Sequence, residues 1–204
     1  MRVLIICLIF VSVPLFGESG FELWLEGAQT SNSIRFPGFG MSESANSRLV
    51  SVRGLWFFRL DDKEYGVSLG QFESRGEGIV RGSFADPGVT YAQSLKVHYQ
   101  SFYFFGLHYR VPGKTTFTYS VDARNCDTWV SADSYSNIGS STVSTWELAP
   151  SVQATWNLYK RFHAGLRLAY RFQLTGKDTE AHWFDEKQNH PEFGIVAGWR
   201  FGRS

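Results

Sequence analysis

The 204 residues carry 20 basic and 19 acidic side chains, a net charge of +1, and are 43% hydrophobic and 17% aromatic. That length leaves room for one domain or two small ones. So even a charge balance lacks the phosphate-neutralising field on which nucleic-acid affinity depends, and the apolar content is too high for a disordered chain.

Arg2 precedes an apolar run from Val3 to Phe16, interrupted by Cys7, Ser12 and Pro14 and followed by Gly17, Glu18, Ser19 and Gly20. This layout predicts a secretory signal peptide over residues 1–19, cleaved after Gly17 or Ser19. The run is shorter than the roughly 20 apolar residues a spanning helix needs. The mature chain, residues 20–204, then keeps Cys126 as its single cysteine, which excludes an internal disulfide. Cys7 lies behind bulky Ile5 and Ile6, a setting that predicts no lipid anchor.

Along the mature chain apolar and polar residues alternate, the period of strands whose successive side chains point to opposite faces. Eight segments show it. The first sets Phe21, Leu23 and Leu25 against Glu22, Trp24 and Glu26. The second sets Val50, Val52, Trp56, Phe58 and Leu60 against Ser51, Arg53 and Arg59, with Leu55 and Phe57 as exceptions. The third is short, with Tyr65, Val67 and Leu69 on one face. The fourth sets Val97, Tyr99, Tyr103, Phe105, Leu107, Tyr109 and Val111 against His98, Gln100, Gly106, His108 and Arg110, although Phe102 and Phe104 break the polar side. The fifth sets Phe117, Tyr119, Val121 and Ala123 against Asp122 and Arg124; the sixth sets Trp146, Leu148, Val152, Ala154, Trp156 and Leu158 against Glu147, Ser151 and Gln153. In the seventh, Phe162, Ala164, Leu166, Leu168, Tyr170 and Phe172 oppose His163, Arg167 and Arg171. In the eighth, Phe193, Ile195, Ala197, Trp199 and Phe201 oppose Glu192 and Arg200.

The connections alternate in length. Long polar ones are predicted at residues 30–47, 74–95, 125–143 and 175–191, and short turns around Asp62, Gly113 and Lys160. Long loops at one end, short turns at the other and an even number of strands of roughly 10 residues describe a transmembrane β-barrel. The mature chain resembles the small eight-stranded bacterial outer-membrane proteins of the OmpX and OmpW type and the membrane domain of the OmpA type, in this pattern and in phrases such as Ala164–Phe172. The resemblance implies an all-β, antiparallel, up-and-down barrel in the outer membrane, with a periplasmic N-terminus. Proteins of that class usually end on an aromatic residue, whereas Phe201 is followed here by Gly202, Arg203 and Ser204.

Alternation alone does not say which face meets lipid, since a soluble barrel has the same period. Residue choice does. The polar face is Gly, Ala, Ser and Thr mixed with Arg, whose planar fork suits buried ion pairs, while lysines fall almost wholly in turns and loops. The apolar face carries Trp56, Tyr65, Tyr109, Trp156 and Trp199 near the short turns and Tyr99, Trp146 and Tyr170 nearer the long loops, a membrane aromatic girdle. The lumen is then expected to hold Arg53, Arg59, Arg110, Arg124, Arg167, Arg171 and Arg200 with Glu22, Glu26, Asp122, Glu147 and Glu192. Two roles suit these charges: a plug of salt bridges that fixes strand register, or, because arginine is in surplus and His98, His108 and His163 join it, a narrow anion-favouring path. Eight strands leave a lumen that side chains nearly fill, so no wide pore is expected.

Catalysis on lipid would need a nucleophile and base in reach of each other near the bilayer surface. The predicted lipid face carries no His, Asp or Glu, and its Ser101, Thr115 and Gln71 have no evident partner. Asp178, Glu180, His182, Asp185, Glu186 and His190 match no zinc or calcium spacing. Cys126 reads as an ordinary loop residue. The expectation is a non-enzymatic monomeric surface protein without cofactor or metal, contacting outer-membrane lipid. It would serve envelope integrity or bind external protein or glycan through its loops. The alternatives are a narrow pore or transporter for small hydrophobic or anionic solutes and, third, a lipid-modifying enzyme.

Overall fold

The computed structural model describes residues 19–36, 41–83, 90–132, 141–178, 185–187 and 190–201. The predicted signal segment up to residue 18 and the terminal Gly202, Arg203 and Ser204 lie outside them, as do Glu180 and His182. The strands are β1 (Ser19–Phe36), β2 (Met41–Leu60), β3 (Lys63–Ser83), β4 (Thr90–Val111), β5 (Thr116–Ala132), β6 (Ser141–Tyr159), β7 (Phe162–Tyr170), β8 (Phe172–Asp178), β9 (Asp185–Lys187) and β10 (Pro191–Phe201). β1 to β7 pair antiparallel in chain order, and β10 pairs with β7 and returns to pair with β1 from Phe21↔Phe201 to Thr30↔Glu192, which closes the sheet. β7 and β8 are two halves of one barrel strand along β6, and β9 and β10 are two segments of another along β1. The result is the eight-stranded up-and-down barrel that the alternation predicts.

β7 and β8 separate at Arg171, whose amide donates to the His190 carbonyl at 2.9 Å. Across from the break stands Pro150, which has no N–H to give a ladder; pairing with β6 stops at Ser151↔Ala169 and resumes at Leu148↔Phe172. Two-residue turns join β2 to β3 and β6 to β7, with Asp61 (φ 56°) and Lys160 (φ 40°) in the left-handed region that such tight hairpins use.

Two expectations are corrected. Segments 30–47, 74–95 and 125–143 are largely not loops: the β1–β2 ladder runs to Phe36↔Met41, β3–β4 to Ser83↔Thr90 and β5–β6 to Val130↔Ser141. These segments show no sustained alternation of apolar and polar residues in the sequence, so there was no strand period to read. The second correction concerns the outer half of β4. Between Gln100 and Tyr103 the pairing with β5 shifts by one residue, and pairing with β3 shifts opposite Gly70 and Phe72. Phe102 and Tyr103 both point outward across this bulge, 65% and 43% exposed. Above it the faces exchange. Val97, Tyr99 and Ser101 therefore point into the lumen, and His98 and Gln100 out.

The outer wall is apolar over its lower and middle height. Leu25, Val67, Leu107, Leu168, Phe193 and Ile195 are each more than half exposed, a continuous apolar surface that water would penalise and acyl chains accept. At the short-turn end aromatics line up across neighbouring strands: Phe58, Tyr65, Tyr109 and Tyr119 follow one another with ring centroids 5.8, 5.5 and 6.2 Å apart, and Phe21 contacts Trp56 and Phe201. Trp56, Trp156 and Trp199 belong to this side, while Trp146 and Tyr170 face outward nearer the strand extensions. Tyr99 does not belong to the girdle. It is fully buried in the lumen.

Candidate functional site: a tiered ion-pair network in the lumen

The lumen is filled in tiers along the barrel axis. At the short-turn end, Glu22 of β1 accepts from Arg110 Nη2 of β4 at 2.7 Å and from Arg200 Nε of β10 at 2.7 Å. Glu64 of β3 accepts from the same two guanidiniums at 3.0 and 3.1 Å. Trp24 donates its indole N–H to Glu22 at 2.8 Å. Four strands are thereby tied by one cluster of two carboxylates and two arginines.

The middle tier rests on Asp122, whose side chain is wholly buried. Arg53 grips it in bidentate fashion at 3.1 and 3.0 Å, and Arg167 adds a bond at 2.9 Å. Arg167 also donates to Glu26 at 2.6 Å, and Glu26 accepts from Ser51 at 3.2 Å. In the upper tier Arg124 pairs with Glu192 at 2.9 Å, and Arg171 lies 3.2 Å from the same carboxylate and donates to Thr30 at 2.7 Å. Tyr99 donates its hydroxyl to Glu147 at 2.5 Å. Ions removed from water need such multiple, well-directed partners, because desolvation otherwise outweighs their attraction.

Inward aromatics complete the packing. Phe57 lies under Arg200 and Arg110, Phe104 under Arg53, Phe72 under Arg124 and Tyr99 under Arg171, with ring centroids 4.4 to 5.3 Å from the guanidinium carbons. Of these, Phe57 and Phe104 are residues that break the polar alternation of the second and fourth segments. A ring in a narrow lumen fills space that small residues leave and offers its negative face to a cation. Leu49, Phe72, Tyr99, Phe104 and Cys126 form a buried apolar layer beside the upper tier. Cys126 is thus no loop residue: it is a buried strand position whose sulfur lies 3.2 Å from the Tyr99 hydroxyl.

The charge count of the lumen differs from the sequence expectation at two positions. Arg59 is exposed at the β2–β3 turn and donates to the Asp61 carbonyl at 3.2 Å. Glu64, which sequence reasoning missed, lies inside. Its parity with Gly66 and Ser68 was the available signal, masked by the charged turn beside it. Among the described residues the network then holds Arg53, Arg110, Arg124, Arg167, Arg171 and Arg200 against Glu22, Glu26, Glu64, Asp122, Glu147 and Glu192. The two signs balance. His108 and His163 remain inside, His108 within 2.7 Å of Ser68, while His98 faces outward, 3.1 Å from Glu73 and stacked on Trp129.

A closed antiparallel barrel with an apolar outer belt and a salt-bridged interior is the architecture of a bacterial outer-membrane β-barrel protein. Solved structures agree. The chain is similar to a major outer-membrane protein of Thermus thermophilus (TM-score 0.55, 11% identity, 89% of this chain and 99% of that one). It is also similar to Ail, the attachment invasion locus protein of Yersinia pestis, solved with the heparin analogue sucrose octasulfate (TM-score 0.51, 17% identity, 89% and 99%). OprG of Pseudomonas aeruginosa aligns at TM-score 0.49 with 13% identity over 91% and 97%. No family model and no curated protein matches the sequence. The chain is therefore a small eight-stranded barrel of the bacterial outer membrane, and likeness at these identities fixes its fold rather than its activity.

Proposed function

We propose that this is a non-enzymatic surface barrel whose lumen is a closed structural plug and whose work is done at the extended, long-loop end. The charge balance of the lumen carries this reading. An anion-favouring path needs cationic surplus along the axis, and with Glu64 inside and Arg59 outside every luminal arginine has a carboxylate to oppose it. Charges so mutually committed hold strand register; they do not exchange easily with a passing ion.

The upper part of the sheet supports a binding role. Strands of 17 to 22 residues exceed the roughly 10 that cross a bilayer, so β1–β6 project beyond the apolar belt as a rigid platform. Its outer face carries a transverse row, Arg48↔Arg75↔His98↔Trp129, on four neighbouring strands. Such a row suits contact with an external protein or an acidic glycan, the class of ligand to which the heparin analogue on Ail belongs. A lipid-modifying role is less supported, because the outward His98 is engaged by Glu73 and Trp129 rather than by a hydroxyl nucleophile.

Single-channel recording of the purified protein in planar bilayers tests the plug. No sustained openings are expected from the native chain. Regular openings whose anion selectivity falls on replacing Arg167 would overturn the proposal.

A further inference from the structure

The short-turn end holds a feature that the plug does not use. A cavity of about 210 Å³ opens there, lined by Glu22, Glu64, Arg110 and Arg200 on the lumen side and by Lys160, Arg161 and His163 around the β6–β7 turn. Inside it the two carboxylates and the two luminal arginines neutralise one another through the bonds described above. Lys160 and Arg161 remain in excess. The turn is fixed over the cavity by the hydrogen bond from the Arg200 amide to the Arg161 carbonyl, 2.9 Å.

His163 supplies a second, independent sign. Its side chain is 7% exposed, yet Nε2 has no hydrogen-bond partner. The nearest acidic oxygen, Glu22 Oε2, is 3.6 Å away and already accepts from Arg110 and Trp24. The ring is held in place by Trp24, with centroids 4.8 Å apart, and by Gly198, where any side chain would collide with both rings. A buried, immobilised ring nitrogen without a hydrogen-bond partner is costly unless something pairs with it. Thr116, Thr155 and Asn157 add neutral polar groups to the same wall.

We infer that this mouth of the barrel is a binding site for a small, doubly charged oxyanion of the phosphate class, taken from the aqueous compartment on the short-turn side. Two surplus cations match two negative charges. A tetrahedral anion offers enough acceptor oxygens to serve His163, Arg161 and the wall hydroxyl and amide groups together. The volume admits such an ion and excludes a bulky solute.

The test uses the full-length folded protein in detergent micelles without phosphate. Inorganic phosphate is titrated while the indole N–H resonance of Trp24, assigned with Trp24→Phe, and the His163 ring resonances are followed by NMR. Saturable shifts at both residues are expected with phosphate and sulfate, and not with chloride or acetate at equal ionic strength. The pair Lys160→Asn and Arg161→Gln should weaken the apparent phosphate affinity about tenfold, as expected for lost charge-assisted contacts. Asparagine suits the left-handed backbone at residue 160. Shifts that follow ionic strength for all four salts alike would overturn the inference. So would phosphate shifts unchanged in the folded double variant. If that variant does not fold, the comparison of the four salts on the native chain decides.

Discussion

Replacing Asp122 with Asn tests whether the lumen is dry and mutually paired. The carboxylate is wholly buried and serves Arg53 through two bonds and Arg167 through one. Asparagine keeps the shape and removes the charge. Arg167 retains Glu26 at 2.6 Å, but Arg53 is left with that same residue only at 3.5 Å. One guanidinium is thus nearly stranded in a filled interior, the situation in which breaking a buried pair costs about 3 to 5 kcal/mol. The expected loss is about 4 kcal/mol, because Glu26 compensates in part. Glu73→Gln is the matched control: its partners Arg75 and His98 lie on the outer surface, Arg75 with a side chain 79% exposed, and exposed pairs contribute about 0 to 1 kcal/mol. Urea unfolding in lipid vesicles, followed by tryptophan fluorescence and by mobility of unboiled samples on gels, measures both. A loss below about 1 kcal/mol for Asp122→Asn, equal to the control, would mean that water screens the network, and the plug reasoning would fail.

Three further outcomes follow from the face assignments. Leu168→Arg, on the outer wall near mid-height, should destabilise the barrel by about 2 to 4 kcal/mol, whereas its inward neighbour Ala169→Ser should change little; similar losses in the same unfolding assay would reverse the faces. Deleting Phe102 removes the extra residue of the β4 bulge and leaves Ser101 inward, Tyr103 outward and Phe104 inward in unbroken alternation, so Val97 and Tyr99 stay in the lumen and the bond from Tyr99 to Glu147 is kept. A normal fast-migrating folded gel band is expected, and its absence would show that Phe102 is not the extra residue of the register. Cys126 is buried in the upper lumen, so a maleimide reagent should label it only after denaturation. Rapid labelling of the folded barrel would place the thiol elsewhere.

The alternation of residues was enough to determine an all-β chain, the number of barrel strands and the placement of arginine inside and aliphatic residues outside. These are local properties: a strand has two faces, and each face must match its surroundings along its whole length. Arg167 beside Leu166 and Leu168 declares both faces within three residues. What lay beyond the sequence was whatever depends on a partner strand. The β4 bulge exists only relative to β3 and β5, so Tyr99 looked like a girdle residue until the extra residue at Phe102 and Tyr103 turned it inward. The strand extensions show no sustained alternation in the sequence, and only backbone pairing across the sheet distinguishes them from loops. Glu64 and Arg59 stand opposite each other beside the same turn, and closure of the barrel alone brings Arg110 and Arg200 to the first while leaving the second at the rim. Pattern fixes the faces of a strand because burial acts residue by residue; the balance of charge in the lumen is a property of the closed ring, and only the ring reveals it.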